Sequence, residues 1–404
     1  MLRGKHREPG AAVPVSGEAG DRIAAIDALR GFALLGIVVV NIAYLASGHR
    51  MAGLAEPWFS APLDWEVRWT VTLLFENKFY LLFSFLFGYS FTLQIDSAAR
   101  SGKAFVPRFL RRLAGLFLLG VAHAVLLFPG DILVTYSVVG LVLLAARRLP
   151  ARAAMTCAAA LTALLALGLF LLAALALLGA DASGMVAGDA AEAARTDRAL
   201  GGSATAIITE HVHALEKIVI LRVFFQGPAV LAACLVGLAA GRHRALAGVC
   251  GHTAVLRRIQ LVGFPVGLVG ALLYAHSTWS GDGVRHGAYH MAGQAVDLLT
   301  APLLAAAYAA TLLRLLPAAP RLTGALVPPG RMALTNYLGQ SLICSMVFTG
   351  YGLGLVGRLS PMTVVTIAVA IFLLQAGYSR LWLRRHRYGP AEWLLRWLTN
   401  ARRP

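Results

Sequence analysis

Apolar runs of bilayer length, separated by short arginine-rich turns, fill the chain from Gly31 to Leu383. A span needs roughly 20 mostly apolar residues to cross the hydrocarbon core. On that criterion the pattern predicts about ten transmembrane helices, over 23–46, 79–95, 112–128, 131–148, 153–178, 218–240, 259–274, 291–313, 332–348 and 362–382. No alternating strand pattern competes with them, so the expected class is an all-α polytopic integral membrane protein. Residues 1–22, rich in Gly and Pro with mixed charge, are expected to form a loose tail, and 23–385 one membrane helical domain. The one long polar stretch, 181–210, reads as an outer loop. At 386–404, Pro390 suits a first helical turn and Trp393 and Trp397 share a face, which predicts an amphipathic helix lying in the interface. Glu392 and Arg396 are spaced to pair across one turn of it.

Composition agrees: 58% of the residues are hydrophobic and 14% charged. In a soluble chain a net charge of +17 would point to nucleic acid. Here about three quarters of the 36 Lys and Arg fall on one side of the alternating spans, which puts both termini in the cytoplasm and makes the bilayer, not nucleic acid, the partner. The first span is long for a signal peptide, and its polar lead is long as well, so it is expected to be retained. Cys157, Cys234, Cys250 and Cys344 form no C-x-x-C pair, and no metal is predicted.

Polar groups within such spans are costly and normally face a cavity or a partner. Asp27 and Arg30, three apart at the start of the first span, can pair; Arg30 could also hold phosphate oxygens at the membrane entrance. Asn41 follows on the same helix, about 16 Å further along. Glu76-Asn77-Lys78 precedes an aromatic run and reads either as an outer helix cap with a snorkelling lysine or as a carboxylate facing a cavity. Seven histidines fall on the outer half: His49, His123, His211, His213, His276, His286 and His290. Asp131 can cap the helix that follows it, or orient His123 for proton transfer. His286 and His290 make at most half a metal site. Asn336, Gln340 and Ser341 form a polar stripe, as interhelical glue or as substrate contacts.

Several of these segments together resemble the YeiB-like family of bacterial membrane proteins, domain of unknown function 418. They are Asp27-Ala28-Leu29-Arg30-Gly31-Phe32-Ala33-Leu34-Leu35-Gly36-Ile37, Phe83-Ser84-Phe85-Leu86-Phe87-Gly88, Gly130-Asp131-Ile132-Leu133, Thr335-Asn336-Tyr337 with Gln340-Ser341, and Gly389-Pro390 with Glu392-Trp393. The resemblance covers nearly the whole chain, with the family-specific half at about 215–385, and implies a bacterial plasma membrane. More distantly, the opening is similar to transmembrane acyltransferases, which pass an acyl group from cytoplasmic acyl-CoA to an acceptor on the far side. Arg30 matches the arginine of the acyltransferase-3 pattern, but Asn41 stands where that pattern has histidine; His49 occupies a loop position like that of the histidine in heparan-type enzymes.

The resemblance thus implies a membrane acyltransferase. Arg30, Arg111 and Arg112 would hold acyl-CoA, His123 with Asp131, or His49, would act as base, and Asn41, Glu76, Asn336, Gln340 and Ser341 would contact a glycan or lipid acceptor. This expectation needs a passage joining Arg30 to the histidines. A transporter or exporter of a small or amphiphilic solute is the alternative, though the sequence shows no convincing pair of mid-membrane helix breaks.

Overall fold

A computed structural model describes residues 16–102, 104–178, 190–247, 253–279 and 284–400, with side chains from residue 24 onward and, in the last segment, from 287. Among them there is no strand. The helices are α1 Ser16–Ala46, α2 Gly48–Met51, α3 Pro62–Leu74, α4 Lys78–Arg100, α5 Phe105–Leu126, α6 Leu133–Ala145, α7 Ala151–Leu177 and α8 Ala190–Leu200. They continue with α9 Ala204–Leu221, α10 Gly227–Arg242, α11 Thr253–Trp279, α12 Val284–Leu315, α13 Pro320–Arg331, α14 Ala333–Phe348, α15 Pro361–Trp382 and α16 Pro390–Asn400. The expected tail lies, for residues 1–15, outside the described residues. The polar stretch read as a loop instead holds α8 and the start of α9, and its first part, 181–189, is likewise outside them.

Among the described residues, eight segments are long and apolar enough to cross a membrane: α1, α3 with α4, α5, α7, α9 with α10, α11, α12 and α15. The protein is therefore a multi-pass membrane protein. Its outward faces fit lipid: Leu164, Leu167 and Leu171 on α7 are all more than half exposed. The other two expected spans are α6, with 13 residues, and α14, with 16. At 1.5 Å per residue they are about 20 and 24 Å long, short of a 30 Å core.

Each buries one face in the bundle and exposes the other, with Val138 and Leu141 on α6 and Leu342 on α14 about half exposed. α14 is short because the chain breaks at Met332, after Pro328 and Pro329 have weakened the end of α13. α13 packs on α1, where the Asp27 carbonyl meets Gly330 and the Leu326 carbonyl meets Gly31 so closely that a Cβ at either glycine would fall within 2.0 Å of that oxygen. The same close approach joins α4 to α10 at Gly88 and Gly237.

A helix that starts inside a membrane protein leaves N–H groups in need of acceptors. Glu392 of α16 supplies them: its carboxylate accepts from the N–H groups of Leu334 (2.7 Å) and Thr335 (3.1 Å) and from the Thr335 hydroxyl (2.6 Å). This corrects the expected Glu392–Arg396 pair. An orphaned helix start holds a carboxylate better than an exposed neighbour does, and Arg396 lies instead over the Tyr388 ring at 4.2 Å. α16 keeps its interfacial character, with Trp393 and Trp397 exposed and Leu395 buried against α5.

Arginines gather at one end of the bundle. Arg242 donates to the Arg147 carbonyl and Arg108 to Asn400, while Arg112 lies within electrostatic reach of Arg30 and Arg396. This is the basic end; α2, α3, α8 and the α5–α6 turn lie toward the opposite, far end.

Candidate functional site

A cavity of about 530 Å³ occupies the far half of the bundle. α1 lines it from Ile37 through Asn41 to Tyr44, α2 adds Met51, and the α3–α4 turn contributes Phe75, Glu76 and Asn77. Asn77 makes that turn because an asparagine tolerates its left-handed backbone, φ 64°. Leu165 and Leu169 of α7 form part of the wall, with Gln294 of α12 and Tyr337 of α14. Between α9 and α10 the chain makes a π-helical turn, Arg222–Gln226, and Arg222, Phe225 and Gln226 all reach the cavity. Pro228 is the cause: it has no N–H, and its ring would strike the carbonyl four residues back. The helix widens, and the Gly227 N–H bonds the Arg222 carbonyl five residues back.

Beside the cavity stands a network of matched charges. Arg50 pairs with Glu76, and its guanidinium lies over the rings of Tyr44 (5.2 Å) and Trp279 (4.8 Å). Burial is the largest single influence and works against the Arg50 charge, but Glu76, Tyr44, Tyr274 and Glu56 together outweigh it and hold the group above its ordinary pKa. Lys78 meets Asp297 of α12 at 3.1 Å, both fully buried, and Asn77 donates to the same carboxylate at 2.8 Å. The expected snorkelling lysine is thus corrected. Lys78 lies at an internal turn rather than a helix cap, so it finds a carboxylate instead of water.

Two His–Asp pairs lie at the far end. His123 Nδ1 is 2.9 Å from Asp131 Oδ1, and Asp131 Oδ2 accepts the Val134 N–H at 2.8 Å, so Asp131 caps α6 and orients the ring at once. A carboxylate only accepts, which puts the ring hydrogen on Nδ1 and the lone pair on Nε2. That Nε2 is buried without a partner. His123 does not line the cavity, but Tyr337 and Phe128, at 5.0 and 6.5 Å between ring centres, do. His49 Nδ1 is 2.9 Å from Asp197 of α8, whose other oxygen accepts the Gly48 N–H.

The expected donor residues divide. Arg30 donates to Asp27 (3.0 Å) and to the Ser90 hydroxyl (2.5 Å). Arg112 stands within electrostatic reach of Arg30 and Arg396, with its Nε buried and unpartnered, whereas Arg111 is exposed. The passage expected between Arg30 and the histidines is closed. The cavity ends at Ile37, about 10 Å of helix from Arg30. In that interval Ala33 and Leu34 are buried and Phe32 packs on Phe79 and Tyr308, 5.1 and 6.5 Å between ring centres.

Among the expected substrate contacts, Asn41 and Glu76 reach the cavity. Asn41, Gln340 and Ser341 share a second space of about 10 Å³ with Tyr337, the size of one water, where the Gln340 amide nitrogen has no partner. Asn336 does not reach either space. It donates to Ser379 (2.9 Å) and the Pro329 carbonyl (3.2 Å) as glue between α14 and α15. The side chain of His286 lies outside the described ones.

Comparison with known proteins places this arrangement. The family model described as "Protein of unknown function (DUF418)" matches residues 240–402. "Uncharacterized protein YxaH" of Bacillus subtilis (strain 168) is 31% identical over 396 residues, 93% of this chain and 94% of the relative. The chain belongs to the DUF418 family. A second relative, "Uncharacterized protein YeiB" of Escherichia coli (strain K12), is 30% identical over 408 residues, 94% of this chain and 96% of its own. Both relatives align over nearly their whole length, including the part that builds the cavity.

Three residues of this DUF418 site escaped the sequence reading. Asp297 was visible, as the one acid inside the eighth apolar run. Arg222 lies in a run whose apolar pattern predicts plain helix, four residues from Gln226. Asp197 carried no signal, because nothing in a polar stretch marks a partner 148 residues from His49.

Proposed function

We propose that this protein is a membrane acyltransferase-like enzyme of the bacterial plasma membrane, with its basic end and both termini in the cytoplasm. The positive-inside bias supports that orientation. One observation carries the reading: three guanidiniums, of Arg30, Arg112 and Arg396, gather at the basic end, and the Arg112 Nε has no partner. Such a cluster suits the phosphates of acyl-CoA. Toward the other end are a chamber for the acceptor and a base, His123 Nε2, oriented by Asp131. In the reaction, the acceptor's hydroxyl or amine gives its proton to Nε2 as its heteroatom attacks the thioester carbonyl. The C–S bond breaks, and the departing CoA thiolate takes the proton back. Donor binding must part Phe32 from Phe79 and Tyr308 to open the closed interval, and Tyr337 or Phe128 must move aside for His123 Nε2 to meet the acceptor in the chamber.

Calorimetric titration of the purified protein with acetyl-CoA tests this: binding that Arg30→Ala removes, with folding intact, is expected. Absence of heat, and of free CoA thiol with any glycan or lipid acceptor, overturns it. A second reading, transport of an amphiphilic solute, is favoured by that closed packing and by two helix interruptions, at Arg222–Gln226 and at Met332. Flux in liposomes without covalent product would put it first.

A further inference from the structure

Arg222 is a cation on the wall of an apolar cavity, and among the described residues no carboxylate lies within ion-pair distance of it. One of its terminal nitrogens donates to the Pro129 carbonyl at 2.6 Å, and its Nε is buried with no partner. Asp131 acts on it electrostatically, but both oxygens of that carboxylate are engaged, by His123 and by the Val134 N–H. The other fully charged group on the wall, Glu76, is neutralised by Arg50. Among the described residues the chamber therefore carries one guanidinium with spare donors, set within a span where an unmatched charge is costly.

The surroundings complete a site. The π-helical turn brings Gln226 to the cavity beside Arg222, and Asn41 and Gln294 present amides with no hydrogen-bond partner among the described residues. Leu165, Leu169, Leu172, Met291 and Leu298 supply an apolar wall. A volume of about 530 Å³ is within the usual range for a small ligand, roughly 300–1,000 Å³.

We propose that this cavity binds an amphiphile with an anionic headgroup, a phosphate or carboxylate, held by Arg222 with its chain along α7 and α12. A planar guanidinium with free donors takes such oxyanions through paired hydrogen bonds, whereas a quaternary ammonium offers it only repulsion. This deepens the group-transfer reading by naming the class of acceptor, and rests on that reading for the acceptor role alone; occupancy of the site stands independently.

The test is photolabelling of the full chain in nanodiscs of zwitterionic lipid, using dodecyl phosphate with a diazirine at the chain end. Competition by dodecyl phosphate is expected to be at least tenfold stronger than by dodecyltrimethylammonium, and inorganic phosphate at the same concentration should not compete. Labelled peptides should come from α7 or α12. Arg222→Gln should weaken competition at least tenfold, and Arg222→Lys by less. Equal competition by the anionic and cationic probes, or an unchanged Arg222→Gln protein, overturns the proposal. Competition by inorganic phosphate alone overturns its amphiphile part. Should Arg222→Gln not fold, the order of competitors on the unaltered protein decides the matter. An acyl-transfer assay run in parallel separates the two ideas: selective labelling without transfer removes the enzyme reading and keeps the site.

Discussion

The far-end network and the basic-end cluster treat buried charge in opposite ways. Beside the cavity, Arg222 apart, each cation has its own carboxylate, Arg50 with Glu76 and Lys78 with Asp297. At the basic end three guanidiniums gather around two carboxylates already in use, Asp27 on Arg30 and Glu392 on the start of α14. Matched charges hold helices in register and leave nothing over for a ligand. Surplus donors, as on Arg112, leave an opening for an anion that the protein itself does not supply.

The contrast can be broken most directly at Asp297. Asp297→Ala strands the fully buried Lys78 ammonium and should cost about 3–5 kcal/mol. Thermal unfolding and size-exclusion profiles check this, and the double change Lys78→Met with Asp297→Leu should restore most of the loss. A drop below about 1 kcal/mol would mean the network is not structural. At the basic end the order reverses, with function lost before stability. Arg112→Gln should lower acetyl-CoA affinity roughly tenfold, near 1.4 kcal/mol, with little change in melting temperature. Arg111→Gln should leave calorimetric affinity unchanged, because that side chain is exposed.

Glu392→Gln sharpens the comparison from the side of a carboxylate in use. Replacing the charged cap of α14 should cost about 1 kcal/mol, read as a lower melting temperature. The smallest effect is expected at Gln340, whose amide nitrogen is already unpartnered. Gln340→Leu should change stability by less than about 1 kcal/mol. A larger fall would make the water-sized space beside it part of the working site.

The helices were legible because apolar run length reports directly on bilayer thickness. α6 and α14 are shorter than their apolar runs predict, at 13 and 16 residues, since a run of letters does not fix where a helix begins and ends. The His123–Asp131 pair was legible because its members face each other across one turn. Pairs that join distant elements, His49 with Asp197 and Lys78 with Asp297, depend on which helices become neighbours, and no local pattern encodes that. Glu392 was misassigned for the same reason: its α16 neighbour Arg396 was visible, while the orphaned start of α14 was not.

The Glu392 bond also sets a sequence of events during synthesis. The opening turn of α14 is completed by a carboxylate 58 residues further along than Leu334, on a helix made after α15. The start of α14 therefore stays uncapped until α15 and α16 have followed it out of the ribosome, and a block to the docking of α16 should leave newly made protein open to quality-control proteases.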